Sequence, residues 1–150
     1  MAARVGFNPD IIVENLKAQV GRAKANFLIN DGHHGAEKTT LIETINSMML
    51  QSLDSTLYLF PNWIKQEASF TRLRTKGAFL VSASYDGARV SKLEISSERG
   101  TRCYINNPWK GDDIRVTENG KPIAVNHVGN RYSFVTKPGG IYMLQQLKLN

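Results

Sequence analysis

The side chains with the clearest chemical potential lie in one short segment, Asp31-Gly32-His33-His34-Gly35. A carboxylate such as Asp31 can take or hold a proton in an acid–base reaction, provided that a second group completes the pair. Aspartate is also common in turns before helices, because its side chain caps free backbone N–H groups. Glu37 falls in the first turn of the helix predicted next, and Glu43 on its solvent side. Neither is the expected acid partner, and both interpretations of Asp31 stay open from the residues alone.

The adjacent histidines His33 and His34 invite a metal-binding interpretation. A bound metal usually needs three or four convergent nitrogen, sulfur or oxygen ligands. Adjacent side chains on a turn point apart, and the remaining histidine, His127, lies far along the chain. We therefore predict no metal and no cofactor. From the residues alone, a solvated turn is the plain interpretation of His33 and His34.

Aromatic side chains are further candidates, because a flat π surface can pack against the apolar face of a sugar ring. Trp63 lies close to Pro61 in a loop-like setting, which favours exposure, so we predict it as a substrate-binding residue. A packed structural role is the alternative. The same two interpretations apply to Tyr58, Phe70, Tyr85 and Trp109.

Composition narrows the class of protein. The 150 residues are 41% hydrophobic and 21% charged, which is typical of one globular domain or a domain with a short appendage. The formal net charge is +6, but the basic residues are scattered, so nucleic acid is not the predicted partner. Cys103 is the only cysteine, which excludes an intrachain disulfide and favours a small core residue. The N-terminal residues lack the apolar core of a signal peptide and no window is long enough to span a membrane, so no membrane partner is predicted.

Residues 1–54 carry the spacing of helices. Asn8-Pro9-Asp10 combines a capping side chain, a proline at the first helical position and an acid at the positive helix end. The predicted helix continues to about Asn26, with an apolar stripe of Ile12, Leu16, Val20 and Ala23. A second helix is predicted from Glu37 to Gln51, with an apolar face of Leu41, Ile42, Ile45, Met48 and Met49. This face needs a partner, which is the second half of the chain, a second copy or helices from upstream.

Residues 55–150 carry the spacing of strands, with turn signals every few residues. Hairpins are predicted at three turns: at Asp86-Gly87, at Asn119-Gly120 and at 137–140. The predicted strands are Thr56–Phe60, Phe79–Tyr85, Arg89–Ile95, Thr101–Ile105, Ile114–Thr117, Pro122–Val125, Arg131–Val135 and Ile141–Leu147. We therefore predict an α+β fold in which two N-terminal helices precede an antiparallel β-sandwich.

In this order the segments resemble a known family from about Asn26 to the C-terminus. The matching pieces are the turn at 31–35, Met49-Leu50-Gln51-Ser52, Leu57-Tyr58-Leu59-Phe60-Pro61-Asn62-Trp63 and Leu73-Arg74-Thr75-Lys76-Gly77. They are similar to the C-terminal end of glycoside hydrolase family 95, the inverting α-L-fucosidases and related α-L-galactosidases. The resemblance implies that residues 1–54 correspond to the end of an (α/α)₆ barrel and residues 55–150 to the C-terminal β-domain.

The resemblance also implies a mechanism and its missing parts. In the family a glutamate is the general acid, and asparagines polarised by an aspartate activate the water. Asp31 matches that aspartate, while the glutamate and the asparagines belong to the upstream barrel. A chain inactive by itself is therefore expected, with a glycan or the catalytic barrel as partner, and exposed helix faces would also allow a homo-oligomer. A non-catalytic carbohydrate-binding or assembly module is the alternative function.

The sequence departs from the family pattern beside the expected sugar site. His33-His34-Gly35-Ala36 stands where the family has Asn-Phe-Gly-Gly, and Phe60 and Asn62 replace a more usual Leu-Pro-Ala arrangement. Because the resemblance places His33 and His34 beside the sugar, it implies that they are substrate-binding residues. The differences from the family pattern imply a changed substrate or a lost activity. The family is commonly secreted or periplasmic.

Overall fold

A computed structural model describes residues 2–22 and 36–148 of the chain. A single 3₁₀ turn, Ala2–Val5, comes before helix α1, Pro9–Gly21, and helix α2 is Ala36–Met49. The strands are β1 (Leu50–Leu53), β2 (Thr56–Leu59), β3 (Glu67–Thr75), β4 (Phe79–Asp86), β5 (Val90–Ser97), β6 (Arg102–Asn106), β7 (Asp113–Glu118), β8 (Lys121–Pro122), β9 (Asn126–Val128), β10 (Arg131–Val135) and β11 (Ile141–Leu147). The predicted α+β fold, helices followed by a β-sandwich, is confirmed.

Helix α1 begins as its sequence predicts. The Oδ1 atom of Asn8 accepts a hydrogen bond of 2.9 Å from the backbone N–H of Asp10, and Pro9 occupies the first helical position. Of the predicted apolar stripe, Ile12 is buried and Leu16 half-buried, whereas Val20 is 59% exposed. The helix therefore buries only one end of its stripe, and the predicted continuation from Ala23 to Asn26 lies outside the described residues.

The strands form two layers. One sheet has five strands in the order β1-β2-β6-β10-β9, and the other has six in the order β3-β4-β5-β11-β7-β8. Within the described strands the pairing is antiparallel except between β2 and β6, which run parallel. The inward side chains of both sheets form one core. Its fully buried members include Leu57, Ile105 and Phe134 from the five-stranded sheet, and Val81, Ile95 and Tyr142 from the six-stranded sheet.

Two of the three predicted hairpins are confirmed. Strands β4 and β5 pair across Asp86-Gly87, where the Asp86 carboxylate accepts hydrogen bonds from the N–H groups of Ala88 and Arg89. Strands β7 and β8 pair across Asn119-Gly120, whose φ angles of 50° and 76° suit a type I′ turn. Strand β8 ends at Pro122, so the predicted strand Pro122–Val125 is wrong beyond its first residue, although the Ile123 N–H still donates a 3.0 Å hydrogen bond to the Val116 carbonyl.

The third predicted hairpin is wrong. Strand β10 pairs with β6 and β9 in the five-stranded sheet, whereas β11 pairs with β5 and β7 in the six-stranded sheet. Residues 136–140 therefore carry the chain from one layer to the other. This crossing is held by Ser97, whose hydroxyl accepts a 2.8 Å hydrogen bond from Thr136 and whose carbonyl accepts one of 2.7 Å from the Gly139 N–H.

Helix α2 leads directly into the sandwich. It ends at Met49, two residues before the predicted end at Gln51, and β1 begins at Leu50 without an intervening loop. Met48 is fully buried beside Ala3 and Ile12. The buried amide of Gln51 donates to the carbonyls of Ala3, at 3.1 Å, and of Ser47, at 2.8 Å. The 3₁₀ turn, α1 and α2 thus form a small second core against the β1 edge of the sandwich.

Candidate functional site

Three of the four predicted site residues, Asp31, His33 and His34, lie outside the described residues. In sequence they directly precede α2, which begins at Ala36. The roles predicted for them therefore stay predictions. The structure describes the fourth residue, Trp63, and its position relative to helix α2.

Trp63 is half-buried near the C-terminal end of α2. It packs against the second core of Ala3, Ile12 and Met48, and its indole N–H donates a 3.1 Å hydrogen bond to the Gln66 carbonyl. At a rise of about 1.5 Å per residue, Met48 lies roughly 18 Å along the helix axis from Ala36. Trp63 thus lies far from the first turn of α2, and its role in substrate binding stays a prediction.

The other aromatic candidates divide into packed and half-exposed rings. The ring of Phe60 packs against those of Phe70 and Tyr85, with distances between ring centroids of 5.5 and 5.1 Å. It also contacts the Trp63 ring edge-on, at 6.4 Å between centroids. Trp109 is 4% exposed and donates a 2.8 Å hydrogen bond to the Val90 carbonyl, so it is a core residue. Tyr58 differs from these, because it is half-buried on the outer face of the five-stranded sheet.

A groove of about 740 Å³ separates α2 and β1 from the edge strand β3. We call it the helix–sheet groove, and its walls include Arg4, Ile42, Glu43, Ser52, Leu53 and Arg74. The Ser52 hydroxyl is buried there without a hydrogen-bond partner in the described part of the chain. The groove therefore combines exposed apolar side chains with polar groups.

Two arginines of this groove, Arg4 and Arg74, are paired with carboxylates. Glu43 accepts a 2.9 Å hydrogen bond from Arg4, and Glu98 receives two, of 2.6 and 2.7 Å, from Arg74. The hydrogen bonds from the Arg74 guanidinium, followed by its positive charge, lower the pKa of Glu98. A general acid must carry a proton near neutral pH, so a carboxyl group with a lowered pKa is the wrong kind of group for that role.

Cys103 is a core residue and not a candidate nucleophile. Cys103 is fully buried, and burial raises the pKa of its thiol to about 12. Because the thiolate is the nucleophile, a thiol that stays protonated at neutral pH is inert, which confirms the predicted core role. Within residues 2–22 and 36–148, no group of three or more histidine, cysteine, aspartate or glutamate side chains could hold a metal ion.

The helical segment carries an unusual share of exposed apolar surface. Among the side chains that the structure describes between residues 2 and 49, six large apolar ones are at least 37% exposed. They are Val5 (80%), Phe7 (50%), Ile11 (41%), Val20 (59%), Ile42 (62%) and Ile45 (37%), and we call them the helical apolar surface. Exposed apolar residues that cluster in one part of a protein mark interaction sites more often than scattered ones do.

On the outer face of the five-stranded sheet, Tyr58, Asn106 and Arg131 form a row of side chains that was not predicted from the sequence. Asn106 is the register partner of Arg131, and the parallel register of β2 and β6 places Tyr58 level with Asn106. None of the residues of β2, β6, β9 and β10 is acidic. The sequence holds no local signal for this row, because it depends on pairing between strands that are far apart along the chain.

In the described part of the chain, no helix is long and apolar enough to cross a membrane. The chain matches no protein-family model, and a search of curated proteins finds no significant match.

Proposed function

We propose that this chain is the C-terminal part of a glycoside hydrolase resembling the inverting α-L-fucosidases and α-L-galactosidases, and that it works only when joined to a catalytic helical barrel. The order of the motifs from the turn at 31–35 to the Leu73-Arg74 strand supports this family. The α+β fold, in which helices lead straight into a β-sandwich, is compatible with it.

The observation that carries the proposal is the helical apolar surface. The sandwich closes its own core, with Leu93, Ile95 and Phe134 at 0% exposure. The helices instead bury mainly Ala3, Ile12, Leu41 and Met48, and leave Ile42 62% exposed. A helix normally buries its apolar face against another element. Further helices packed on α1 and α2 would cover this surface, which is what a barrel would provide.

The proposed chemistry divides the catalytic groups between the two parts. Inverting hydrolysis needs a general acid and a base that activates water, with carboxyl groups about 6.5–9.5 Å apart. Asp31 would be the group that polarises the water-activating side chains, because it matches the family aspartate. The acid would come from the barrel. Glu43 forms an exposed ion pair with Arg4 at 2.9 Å and is given no part in this chemistry.

Binding to the barrel tests this proposal. We expect a barrel to be encoded in the DNA flanking the Met1 codon and, when produced separately, to bind the 150-residue chain. The substitution Ile42→Glu should weaken that binding at least about tenfold, because it places a charge within an apolar interface. Biolayer interferometry with the immobilised chain measures the dissociation constant.

Val135→Glu is the matched control. Val135 is 61% exposed, almost the same as Ile42 at 62%, but it lies on the outer face of β10. This variant should bind the barrel like the unmodified chain. The absence of any barrel-encoding sequence beside the Met1 codon, or equal weakening by the two substitutions, would contradict the proposal.

A further inference from the structure

The outer face of the five-stranded sheet holds an arginine fixed in place without an acidic partner. The Nε atom of Arg131 donates a 2.9 Å hydrogen bond to Thr56 Oγ1, and its guanidinium lies 4.2 Å from the centroid of the Tyr104 ring. Among the described residues no carboxylate pairs with Arg131, and its Nη groups make no hydrogen bond. Two sets of N–H donors are therefore oriented and left available.

Such a guanidinium is a ready receptor for an anion. Arginine binds planar oxyanions through two parallel hydrogen bonds, and fixing its orientation in advance reduces the entropy lost on binding. Strands β2, β6, β9 and β10 contribute no acidic side chain, and Arg102 adds a second exposed cation on the same face. Asp54 lies in the turn before β2, where its carbonyl rather than its carboxylate accepts from Thr56. The local charge therefore favours a negatively charged ligand.

The neighbours of Arg131 suit a sugar. Tyr58, Asn106 and Arg131 are level with one another on β2, β6 and β10, and we call them one row. The Arg131 side chain crosses β6 over Tyr104, so its guanidinium lies beside Thr56, two residues before Tyr58 on β2. All three side chains face outward, since their neighbours Leu57, Ile105 and Tyr132 are buried in the core. The phenol of Tyr58 can stack on a pyranose ring, and the Asn106 amide can both donate to and accept from hydroxyl groups.

We propose that this row is a binding site for an acidic sugar, in which Arg131 holds a carboxylate or sulfate group, Asn106 contacts ring hydroxyls and Tyr58 packs on the ring. The site does not rest on the proposed catalytic barrel. It lies on the sheet face rather than on the helical apolar surface, and it would function in the chain alone.

Calorimetric titration of the 150-residue chain tests the site. The probes are trigalacturonic acid for a carboxylate, a sulfated galactotriose for a sulfate, and unmodified galactotriose as the neutral sugar. We expect at least one acidic probe to bind at least about tenfold more tightly than the neutral one, and the tighter of the two acids identifies the ligand group.

Substitutions then assign the binding to the row. Arg131→Gln should weaken binding of the acidic probe about tenfold or more. Arg131→Lys keeps the positive charge but loses the two parallel N–H donors of the guanidinium, so it should weaken binding severalfold. Tyr58→Ala should also weaken it severalfold. Arg115→Gln, an exposed arginine of β7 in the other sheet, should change nothing.

Two results would overturn the site. One is failure of both acidic probes to bind the folded chain more tightly than galactotriose. The other is an equal loss of affinity for Arg131→Gln and Arg115→Gln, since that result is expected from general attraction to a protein of net charge +6. Circular dichroism of each variant verifies that it is folded. Because the barrel is absent from this titration, its outcome is separate from that of the proposed function.

Discussion

Replacing Phe134 by alanine is expected to lower the free energy of unfolding by about 3–5 kcal/mol. Phe134 of β10 is fully buried, and its ring lies 5.4 Å from that of Tyr142 in β11, which belongs to the other sheet. The substitution would therefore open a cavity between the two layers, where neither sheet can move in to fill it. Urea unfolding followed by tryptophan fluorescence measures the change.

The adjacent residue provides the control. Val135 is 61% exposed on the opposite face of the same strand, so Val135→Ala should change the free energy of unfolding by no more than about 0.5 kcal/mol. Similar losses for the two variants would mean that the layers do not pack as described. They would also show that β10 does not present Phe134 inward.

The second large effect is expected for Gly100→Ala. Gly100 has a φ of 70°, and an added Cβ would clash with Pro138 Cδ and lie 2.7 Å from Pro138 N. The left-handed conformation costs a non-glycine residue about 1–2 kcal/mol. Displacing Pro138 should add about 1–3 kcal/mol, because the clash involves the backbone of a crossing that is held by hydrogen bonds to Ser97.

Gly120→Ala separates these two contributions. Gly120 has a similar φ of 76°, but an added Cβ would meet no atom within 4 Å. Its loss of stability should therefore be limited to the conformational cost of about 1–2 kcal/mol. The difference between the variants in thermal unfolding measures how tightly the crossing packs, and equal losses would contradict the close approach of Gly100 to Pro138.

Local signals in the sequence were sufficient for the elements whose ends are set by their own residues. The cap at Asn8 fixes the start of α1, and the turns at Asp86-Gly87 and Asn119-Gly120 fix two hairpins. In each case the controlling hydrogen bonds or φ angles lie within a few residues of one another. These three features could therefore be predicted without knowledge of the rest of the fold.

Features that depend on distant partners were not predictable in this way. The 137–140 turn signal indicates a reversal of the chain, but not whether β11 pairs with β10 or with β5 and β7. Strand β1 was missed because α2 runs into it without a turn, and β9 because its residues are all exposed. The row around Arg131 was missed for the same reason, since register between strands brings it together.

The partner of the apolar face of α2 was also not predictable from local signals. The apolar spacing indicated that α2 needs a partner, but Met48 packs against Ala3 and Ile12 of the same helical segment, which is not among the three partners predicted. Whether Ile42 and Ile45 are covered depends on a surface that the spacing does not specify. The proposed barrel is therefore inferred from the exposed side chains and the resemblance together.

Release of 4-nitrophenol from 4-nitrophenyl α-L-fucoside and α-L-galactoside shows whether the chain completes the active site of a helical barrel. The measurement compares the 150-residue chain alone, the separately produced barrel alone and an equimolar mixture of the two. We predict turnover of at least one substrate by the mixture only, and a loss of about 10²–10⁴-fold when the chain carries Asp31→Asn. Steady turnover by the chain alone, or a mixture whose activity is unchanged by Asp31→Asn, would contradict the account.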